Sequence, residues 1–476
     1  MIKKIFEYPS LRIKENLETN FLKKYNLINR KEAFRNIHIP PNDIMLKQAI
    51  KRFKYEEAFF IIKKLFQEQK IIPKVPLKFN LDYVRQMIST IPFQLTVNQK
   101  KIVNEIYLDF KKNYTTQRLV QGDVGSGKTI IGFIAALGII NLNKQVLMMA
   151  PTEILSQQHY TNFQKFFPHI ESIFITSKSK NKKTIQKLIK ENQYKMIFGT
   201  HLLANIDFND LGLIIIDENH KFGTNIQNKI ISQNIHSDII YLTATPIPKT
   251  LAIIYFGLLR ISILEKKHQN KDNIITKTCS FKDVISLILK NQDKNEQTYI
   301  VVPAIKDNKK TFNIENMSVF FKEKKIENFY VLHGKQKTEE KDETIQKFIN
   351  DRKGVLLTTS IIEVGIDIAN TTTIIILGAE YFGLSQLHQL RGRVGRNNKI
   401  NYCFLVSAKE NERLNSLQHE NDGFNLSKID LKNRGPGDFT GTKQSGFLKY
   451  IFLNIYEDFD IIDKITKDFE NLFNSK

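Results

Sequence analysis

Two consecutive series of short apolar runs, alternating with amphipathic stretches, constrain the fold of this 476-residue chain more than any other feature. Short apolar runs separated by helical patterns are typical of strands buried on both faces of a parallel sheet. The runs are 118–121, 145–150, 196–198, 213–216 and 239–242, then 298–302, 329–332, 354–358, 373–377 and 402–406. The pattern predicts an α/β fold with two similar doubly wound lobes, whose ligands bind at the carboxyl ends of the strands.

The segments that flank the two series have a different character. Apolar residues recur at helical spacing from Tyr55 to Gln69, before Pro73 and Pro76 end that helix. A polar, lysine-rich stretch over 265–273 is the expected linker between the lobes. The predicted organisation is therefore a mostly helical segment (1–91), a first lobe (92–264), a second lobe (265–410) and a C-terminal loop and helix (411–476).

The charge balance of the chain is strongly basic, with a net charge of +22 and a pI near 9.6. Such an excess attracts polyanions, of which nucleic acid is the usual one. The chain is also rich in Lys, Asn and Ile, and a general compositional bias explains part of the excess. Charge alone therefore leaves both explanations open.

Other features of the composition exclude several classes of protein. No apolar stretch is long enough to span a bilayer, and the N-terminus lacks the apolar core of a signal peptide. Cys279 and Cys403 are too few for a disulfide framework or a metal cluster. These features predict a cytoplasmic protein without a membrane partner.

A glycine-rich segment, residues 122–129, lies between a predicted strand and a predicted helix. Its sequence matches the phosphate-binding loop of nucleoside triphosphatases, in the strand–helix context that this loop requires. Lys128 is expected to reach the β- and γ-phosphates of ATP, and Thr129 to hold Mg²⁺. The predicted nucleotide-binding residues of this loop are Gly122, Asp123, Gly125, Ser126, Gly127, Lys128 and Thr129.

Two carboxylates, Asp217 and Glu218, directly follow the apolar run at 213–216. Asp217 is placed to hold Mg²⁺, and Glu218 to orient or deprotonate the attacking water. Two solvated acids after a strand would be the simpler interpretation, but the upstream phosphate-binding loop makes the catalytic one stronger.

Residues 386–396 place three arginines on a glycine-punctuated segment of the second lobe. A guanidinium pairs bidentately with phosphate oxygens, and an arginine from another domain can stabilise a transferring phosphoryl group. Arg393 and Arg396 are the predicted catalytic arginines. A basic helix end at the surface is the alternative.

Two further hydroxyl-rich segments follow predicted strands. Thr243 and Thr245 precede Pro246, and Thr359 lies in a polar loop that contains Glu363 and Asp367. By themselves, both segments are most simply interpreted as ordinary polar turns at strand ends.

Taken in order, these motifs resemble those of superfamily-two helicases, and more narrowly the RecG family of ATP-dependent DNA helicases. The similarity runs over about 92–446 and implies two tandem RecA-like lobes. Residues 92–99 resemble the adenine-reading segment of the family, which implies nucleotide contacts from Phe93 and Gln99. Residues 150–159, 199–201 and 243–252 resemble its DNA-contacting and coupling motifs. The resemblance implies such roles for Thr152, Thr200, His201, Thr243, Thr245 and Thr359.

Residues 430–446 are similar to the translocation motif that RecG shares with the transcription-repair coupling factor. In those families the motif follows the second lobe as a helical hairpin and loop, and it couples ATP hydrolysis to movement on duplex DNA. The resemblance implies DNA-coupling roles for Arg434 and Gln444. The Arg-Gly-Pro-Gly sequence at 434–437 and His388 favour RecG.

The sequence departs from the family pattern in three places. Asn219 and Lys221 stand where the family usually has Gln and Arg, and a lysine cannot reproduce the fork of an arginine. The proline-glycine-arginine segment expected between the lobes is not recognisable around 265–278. Family members also have an N-terminal wedge domain, and we expect this sequence to represent a motor without it.

The sequence therefore predicts a DNA helicase or translocase that hydrolyses ATP with Mg²⁺ and acts on branched or duplex DNA in recombination and repair. Phosphate contacts carry no sequence information, so we expect the protein to recognise DNA structure rather than base sequence. The resemblance also implies a monomer. A transcription-coupled duplex translocase and a non-catalytic DNA-binding protein are the alternatives.

Overall fold

The computed structural model describes residues 12–68, 72–177, 179, 181–218, 224–244, 259–264, 274–306, 312–359, 370–395, 399–408, 412–434, 450–454 and 457–474. Helices α1–α3 and the C-terminal helix α16 belong to one compact unit. The strands of the described residues, together with helices α4–α14 and most of α15, belong to a second unit. No helix in the described ranges is long and apolar enough to cross a membrane.

The first unit is built around one long helix. Its helices are α1 (Thr19–Tyr25), α2 (Arg30–His38), α3 (Asp43–Glu68) and α16 (Phe459–Asn474). Phe53 of α3 stacks on Phe452 with ring centroids 4.7 Å apart, and Phe59 and Phe66 contact Phe469 of α16. The carboxylate of Glu57 accepts hydrogen bonds from the backbone N–H groups of residues 451–453. These contacts join the two ends of the chain in one helical body.

The first sheet of the second unit has seven parallel strands in the order β3-β4-β2-β5-β6-β1-β7. They are β1 (Gln117–Gly122), β2 (Gln145–Met149), β3 (Ser172–Ile175), β4 (Met196–Gly199), β5 (Leu211–Asp217), β6 (Asp238–Thr243) and β7 (Arg260–Leu264). Helices α4 (Leu81–Ser89), α5 (Val97–Phe110), α6 (Lys128–Asn141), α7 (Glu153–Phe166), α8 (Lys182–Lys190) and α9 (Thr224–Gln233) accompany them. Helix α6 is apolar on nearly every side and almost fully buried, as expected for a helix inside the core.

The second sheet has six parallel strands in the order β10-β11-β9-β12-β13-β8. They are β8 (Ile274–Thr278), β9 (Gln297–Val301), β10 (Phe329–Leu332), β11 (Val355–Thr358), β12 (Thr371–Leu377) and β13 (Asn401–Val406). Helices α10 (Val284–Asp293), α11 (Ile314–Glu323), α12 (Thr338–Asn350), α13 (Leu384–Arg391), α14 (Glu412–His419) and α15 (Gly423–Arg434) complete this part.

The ten predicted strands are all confirmed, and the prediction of two parallel-sheet lobes with them. Three strands, β3, β7 and β8, were missed. The predicted linker at 265–273 lies outside the described residues. The carboxyl ends of β1, β6 and β5 lie side by side, since Gln121 pairs with Thr243 and Leu242 with Asp217. The topology therefore brings the phosphate-binding loop and the acidic pair to one edge of the sheet.

Candidate functional site

The phosphate-binding loop joins β1 to the N-terminus of α6. Gly125 and Gly127 have φ values of +72° and +86°, a region that favours glycine, and a Cβ atom on Gly125 would meet nothing within 4 Å. Lys128 Nζ donates to the carbonyl oxygens of Gly122 at 2.7 Å and Asp123 at 2.9 Å. The ammonium group thus lies inside the loop, and the free N–H groups at the start of α6 suit a phosphate.

Gln99 braces this loop from the preceding helix. Its Oε1 accepts from the backbone N–H of Thr96, which closes a capping box at the start of α5, and its Nε2 donates to the carbonyl of Ser126 at 3.2 Å. Phe93 remains 47% exposed and contacts Phe166 edge to face. Phe93 and Gln99, the two predicted nucleotide contacts, therefore both lie in the part of the chain that precedes the phosphate-binding loop. The exposed ring of Phe93 is available for stacking.

The acidic pair at the end of β5 is buried. Asp217 Oδ1 accepts from the backbone N–H of Glu218 at 3.0 Å, and Asp217 Oδ2 lies 2.8 Å from His159 Nε2 of α7. Burial alone would raise the pKa of Asp217, but the His159 hydrogen bond and charge, with Lys128, hold that pKa below its ordinary value of 3.8. Asp217 is therefore ionised near neutral pH, as a metal ligand must be.

Glu218 adopts a backbone conformation that is rare for a residue with a side chain. Its φ is +50°, and its N–H donates to the carbonyl of Leu242 at 2.9 Å, which ties the end of β5 to β6. Left-handed non-glycine residues cluster at functional sites. The geometry supports the choice of Glu218 as the second acid.

Charged groups of both lobes act on Lys128. Burial lowers the pKa of Lys128, whereas Glu218, Asp217 and Asp123 raise it. The positive charge of Arg393, from the second lobe, lowers it further. Arg393 therefore lies within electrostatic range of Lys128.

Direct contacts between the lobes occur beside this site. His388 Nε2 lies 2.8 Å from Asp123 Oδ1 of the phosphate-binding loop. A Cβ atom added to Gly392 would lie only 3.1 Å from Val124 Cβ. The helix that carries the arginine segment therefore packs against the loop itself.

Some predicted DNA contacts lie where a nucleic acid could reach them, and others do not. Thr152 is partly exposed and caps α7 by accepting from the N–H of Leu155 at 3.3 Å. His201 is exposed, whereas Thr200 is 3% and Thr243 is 2% exposed. Thr152 and His201 are the stronger candidates for direct contact, and the buried threonines suit a role within the protein.

Several predicted site residues cannot be placed. Arg396, Thr245, Gln444, Asn219 and Lys221 lie outside the described residues, as do residues 435–446 of the translocation motif. Arg434 is the last residue of α15, and Thr359 is partly exposed after β11. The roles predicted for these residues stay predictions.

The sequence interpretation missed three residues that complete the site. His159 contacts Asp217 from 58 positions away, and His388 and Arg391 link the loop to the second lobe. His159 lies in a segment read as DNA-contacting, and His388 was noted only as a family feature. Their spacing along the chain carries no signal of these contacts.

Comparisons with known proteins follow the same division of the chain. Residues 96–254 match the DEAD/DEAH box helicase family and residues 279–398 match the helicase conserved C-terminal domain. Residues 420–474 match the C-terminal part of domain 3 of the ATP-dependent DNA helicase RecG. An ATP-dependent DNA helicase RecG of Streptococcus pneumoniae is 35% identical over 96% of this chain and 71% of that protein. The chain belongs to the RecG family of ATP-dependent DNA helicases.

Other RecG proteins extend this similarity. The RecG of Synechocystis is 34% identical over 95% of this chain, which spans 57% of that relative. A solved structure of RecG bound to a three-way DNA junction has a TM-score of 0.75 and 31% identity, over 98% of this chain and 64% of the RecG chain. The present chain thus spans between about half and three quarters of the length of these RecG proteins.

Proposed function

We propose that this chain hydrolyses ATP between its two RecA-like lobes and uses the energy to move on branched DNA in recombination and repair. The observation that carries the proposal is the meeting of the lobes at the phosphate-binding loop. There Asp123 contacts His388, and Arg393 lies within electrostatic range of Lys128. Membership of the RecG family supports DNA as the partner, and a RecG protein has been solved on a three-way junction.

Each half of the proposed site has a distinct role. Lys128 and the backbone N–H groups at the start of α6 bind the phosphates, while Gln99 and Phe93 contact the base. Glu218 orients or deprotonates the attacking water. Arg393 and Arg396 stabilise the charge of the transferring phosphoryl group from the second lobe.

The residues at this site fit Mg²⁺ held together with the nucleotide. Among the described residues, no group of three or more His, Cys, Asp or Glu side chains could hold a metal alone. The ionised, buried Asp217 and the hydroxyl of Thr129 are the expected ligands, with phosphate oxygens completing the set. The bound cation supplies neutralisation of phosphate charge.

The proposed partner is DNA, and the proposed location is the cytoplasm. Thr152, His201 and the translocation motif around Arg434 and Gln444 grip the phosphate backbone, so DNA is recognised by shape rather than base sequence. Thr243, Thr245 and Thr359 couple this grip to the nucleotide site. We expect a cytoplasmic monomer.

Phosphate release measured with three-way junction, linear duplex and single-stranded DNA tests this proposal. We expect junction DNA to stimulate the parent protein most, and Lys128→Ala to lose the activity with every DNA. Lys100→Ala is the matched control, because Lys100 is exposed on α5. A parent rate that no DNA changes, or a Lys128→Ala rate equal to the control, would contradict the proposal.

A further inference from the structure

One aromatic ring of the second lobe is exposed although the backbone that carries it is firmly held. Tyr381 is 49% exposed, whereas its neighbour Phe382 is buried in the core of that lobe. An exposed ring leaves a large apolar surface in water, and burying that surface against a ligand is favourable. A ring that stays exposed on an anchored turn is therefore a candidate for contact with a ligand.

The turn that carries Tyr381 follows β12 and is fixed on both sides of the ring. Gly378 begins the turn with a φ of +65°, which favours glycine, and its carbonyl accepts from the N–H of Tyr381 at 3.0 Å. Arg413 Nη2 of α14 donates to the carbonyl oxygens of Glu380 at 2.9 Å and of Phe382 at 3.1 Å. These two carbonyls flank Tyr381 in the chain, so the guanidinium holds its backbone in place. A residue that is ordered in advance loses little freedom on binding.

Other aromatic rings lie next to Tyr381. A Cβ atom added to Gly378 would lie 3.0 Å from Tyr381 Cδ2 and 3.4 Å from Phe312 Cδ2. The ring of Phe281 has its centroid 5.1 Å from that of Phe312 and 5.1 Å from that of Phe320. The three phenylalanines are partly buried, so Tyr381 is the exposed member of this array.

The turn lies at the carboxyl edge of the second sheet, where Thr359 also lies. Strands β11, β9 and β12 are neighbours in that order, and their registers place Thr358, Val301 and Ile376 level with one another. Neighbouring strands lie about 4.8 Å apart, so the ends of β11 and β12 are separated by roughly 10 Å. Tyr381 therefore shares an edge of the sheet with a residue that has a proposed DNA-coupling role.

Positive charge is present at the same edge. Lys306 follows β9, and its 3.4 Å ion pair with Glu315 is exposed on both sides. The N–H of Glu315 donates to the carbonyl of Ile305, so the segment that carries Lys306 lies against the start of α11, close in the chain to Phe312. Exposed ion pairs contribute little to stability, so Lys306 can exchange its partner for a phosphate. Basic side chains beside an aromatic ring are the combination found in sites for single-stranded nucleic acid.

We propose that Tyr381 stacks on an unpaired base of single-stranded DNA. The proposal rests on the function proposed above and names one contact with its DNA partner. Every base has a π-face, so this contact accepts any sequence. Bases inside a duplex are already stacked on one another, so the ring selects unpaired bases, such as those at a branch point. An exposed ring without a ligand is the alternative.

The fluorescence of a single tryptophan tests the proposal on the full chain. The protein contains no Trp, so Tyr381→Trp places the only one on the turn. We expect a thymidine oligonucleotide to quench its emission, and an abasic oligonucleotide of equal length to leave it unchanged, because only the first offers a base for stacking. Phe60→Trp, at a 43% exposed position of the helical unit, is the control and should respond to neither.

Oligonucleotide affinities separate stacking from support of the fold. Tyr381→Ala should bind the thymidine oligonucleotide about five- to 150-fold more weakly than the parent, the usual effect of removing a stacking side chain, and the abasic one equally well. Tyr381→Phe keeps the ring and should retain parental affinity for both. Val319→Ala removes another exposed apolar side chain of the same lobe and should also match the parent. Thermal unfolding of each variant reports its folding separately.

The outcomes that overturn the inference differ from those that overturn the function. Stacking is refuted if Tyr381→Ala keeps parental affinity for the thymidine oligonucleotide, or loses affinity for both oligonucleotides equally. It is also refuted if the parent binds neither oligonucleotide, or if ATP without DNA quenches Tyr381→Trp, which would assign the ring to the nucleotide. Absence of DNA-stimulated phosphate release would instead refute the proposed function, and the two affinities would still decide whether Tyr381 stacks on a base.

Discussion

At the residue scale, the contact between His159 and Asp217 helps to keep this carboxylate, the proposed Mg²⁺ ligand, ionised. The lowered pKa keeps Asp217 ionised, and it stabilises the folded protein at pH values above the ordinary 3.8. That contribution is lost as the pH falls through the lowered value. The site therefore tolerates mild acid as far as Asp217 is concerned.

His159→Phe should move the acid limb of ATP hydrolysis to higher pH. The substitution removes the two strongest effects that lower the pKa of Asp217, while the burial that raises it remains. Rates of phosphate release at saturating ATP and Mg²⁺, measured between about pH 5 and 8, give the two profiles. Gln164→Ala, at an exposed position on the same helix, should match the parent. Superimposable profiles for His159→Phe and the parent would count against the role of His159.

At the element scale, helix α13 meets the phosphate-binding loop through a glycine. Gly392 has φ −69° and ψ −1°, which any residue can adopt, so the obstacle to a side chain there is Val124 and not the backbone. The close approach of these two elements brings the arginine segment to the loop.

Gly392→Val should lower DNA-stimulated hydrolysis roughly tenfold, since overpacking of this kind costs about 1–3 kcal/mol. Val124→Ala removes the two γ-carbons that would lie 3.4 Å from the new Cβ atom but keeps its own Cβ, so the double variant should recover part of the rate. Phosphate release by the parent, both single variants and the double variant gives the comparison. If Gly392→Val hydrolyses ATP at the parental rate, the contact is unimportant; if the double variant shows no recovery, the steric explanation is wrong.

Among the secondary-structure elements, the apolar character of a strand decides whether it can be predicted from the sequence. Buried strands such as β2, β5 and β12 have continuous apolar sequences and were predicted correctly. The missed strand β3 has only four residues, and β7 and β8 are edge strands that are partly exposed and carry Arg260 and Lys277. Solvent covers part of β7 and β8, which weakens their apolar pattern, so local sequence does not distinguish them from loops, whereas the apolar edge strand β10 was predicted.

At the scale of the whole molecule, local motifs predicted that two lobes act on one nucleotide, but not the contacts through which the lobes meet. Lys128, Asp217 and Glu218 belong to motifs in which the required residue types are contiguous. The contact between Asp123 and His388 spans 265 positions, and that between Lys24 and Asp468 spans 444. Such pairs depend on topology and packing, which a single sequence does not encode in any local pattern.

The closure of both lobes on one nucleotide is the central claim, and Arg393→Gln tests it most directly. Hydrolysis of ATP with saturating junction DNA is measured beside binding of a fluorescent ATP analogue, with Arg352→Gln, exposed in the same lobe, as control. We predict a loss of about a thousandfold or more in rate, the usual contribution of a catalytic arginine, with little loss of nucleotide binding. An Arg393→Gln protein that binds nucleotide and hydrolyses ATP as fast as the control would contradict the account.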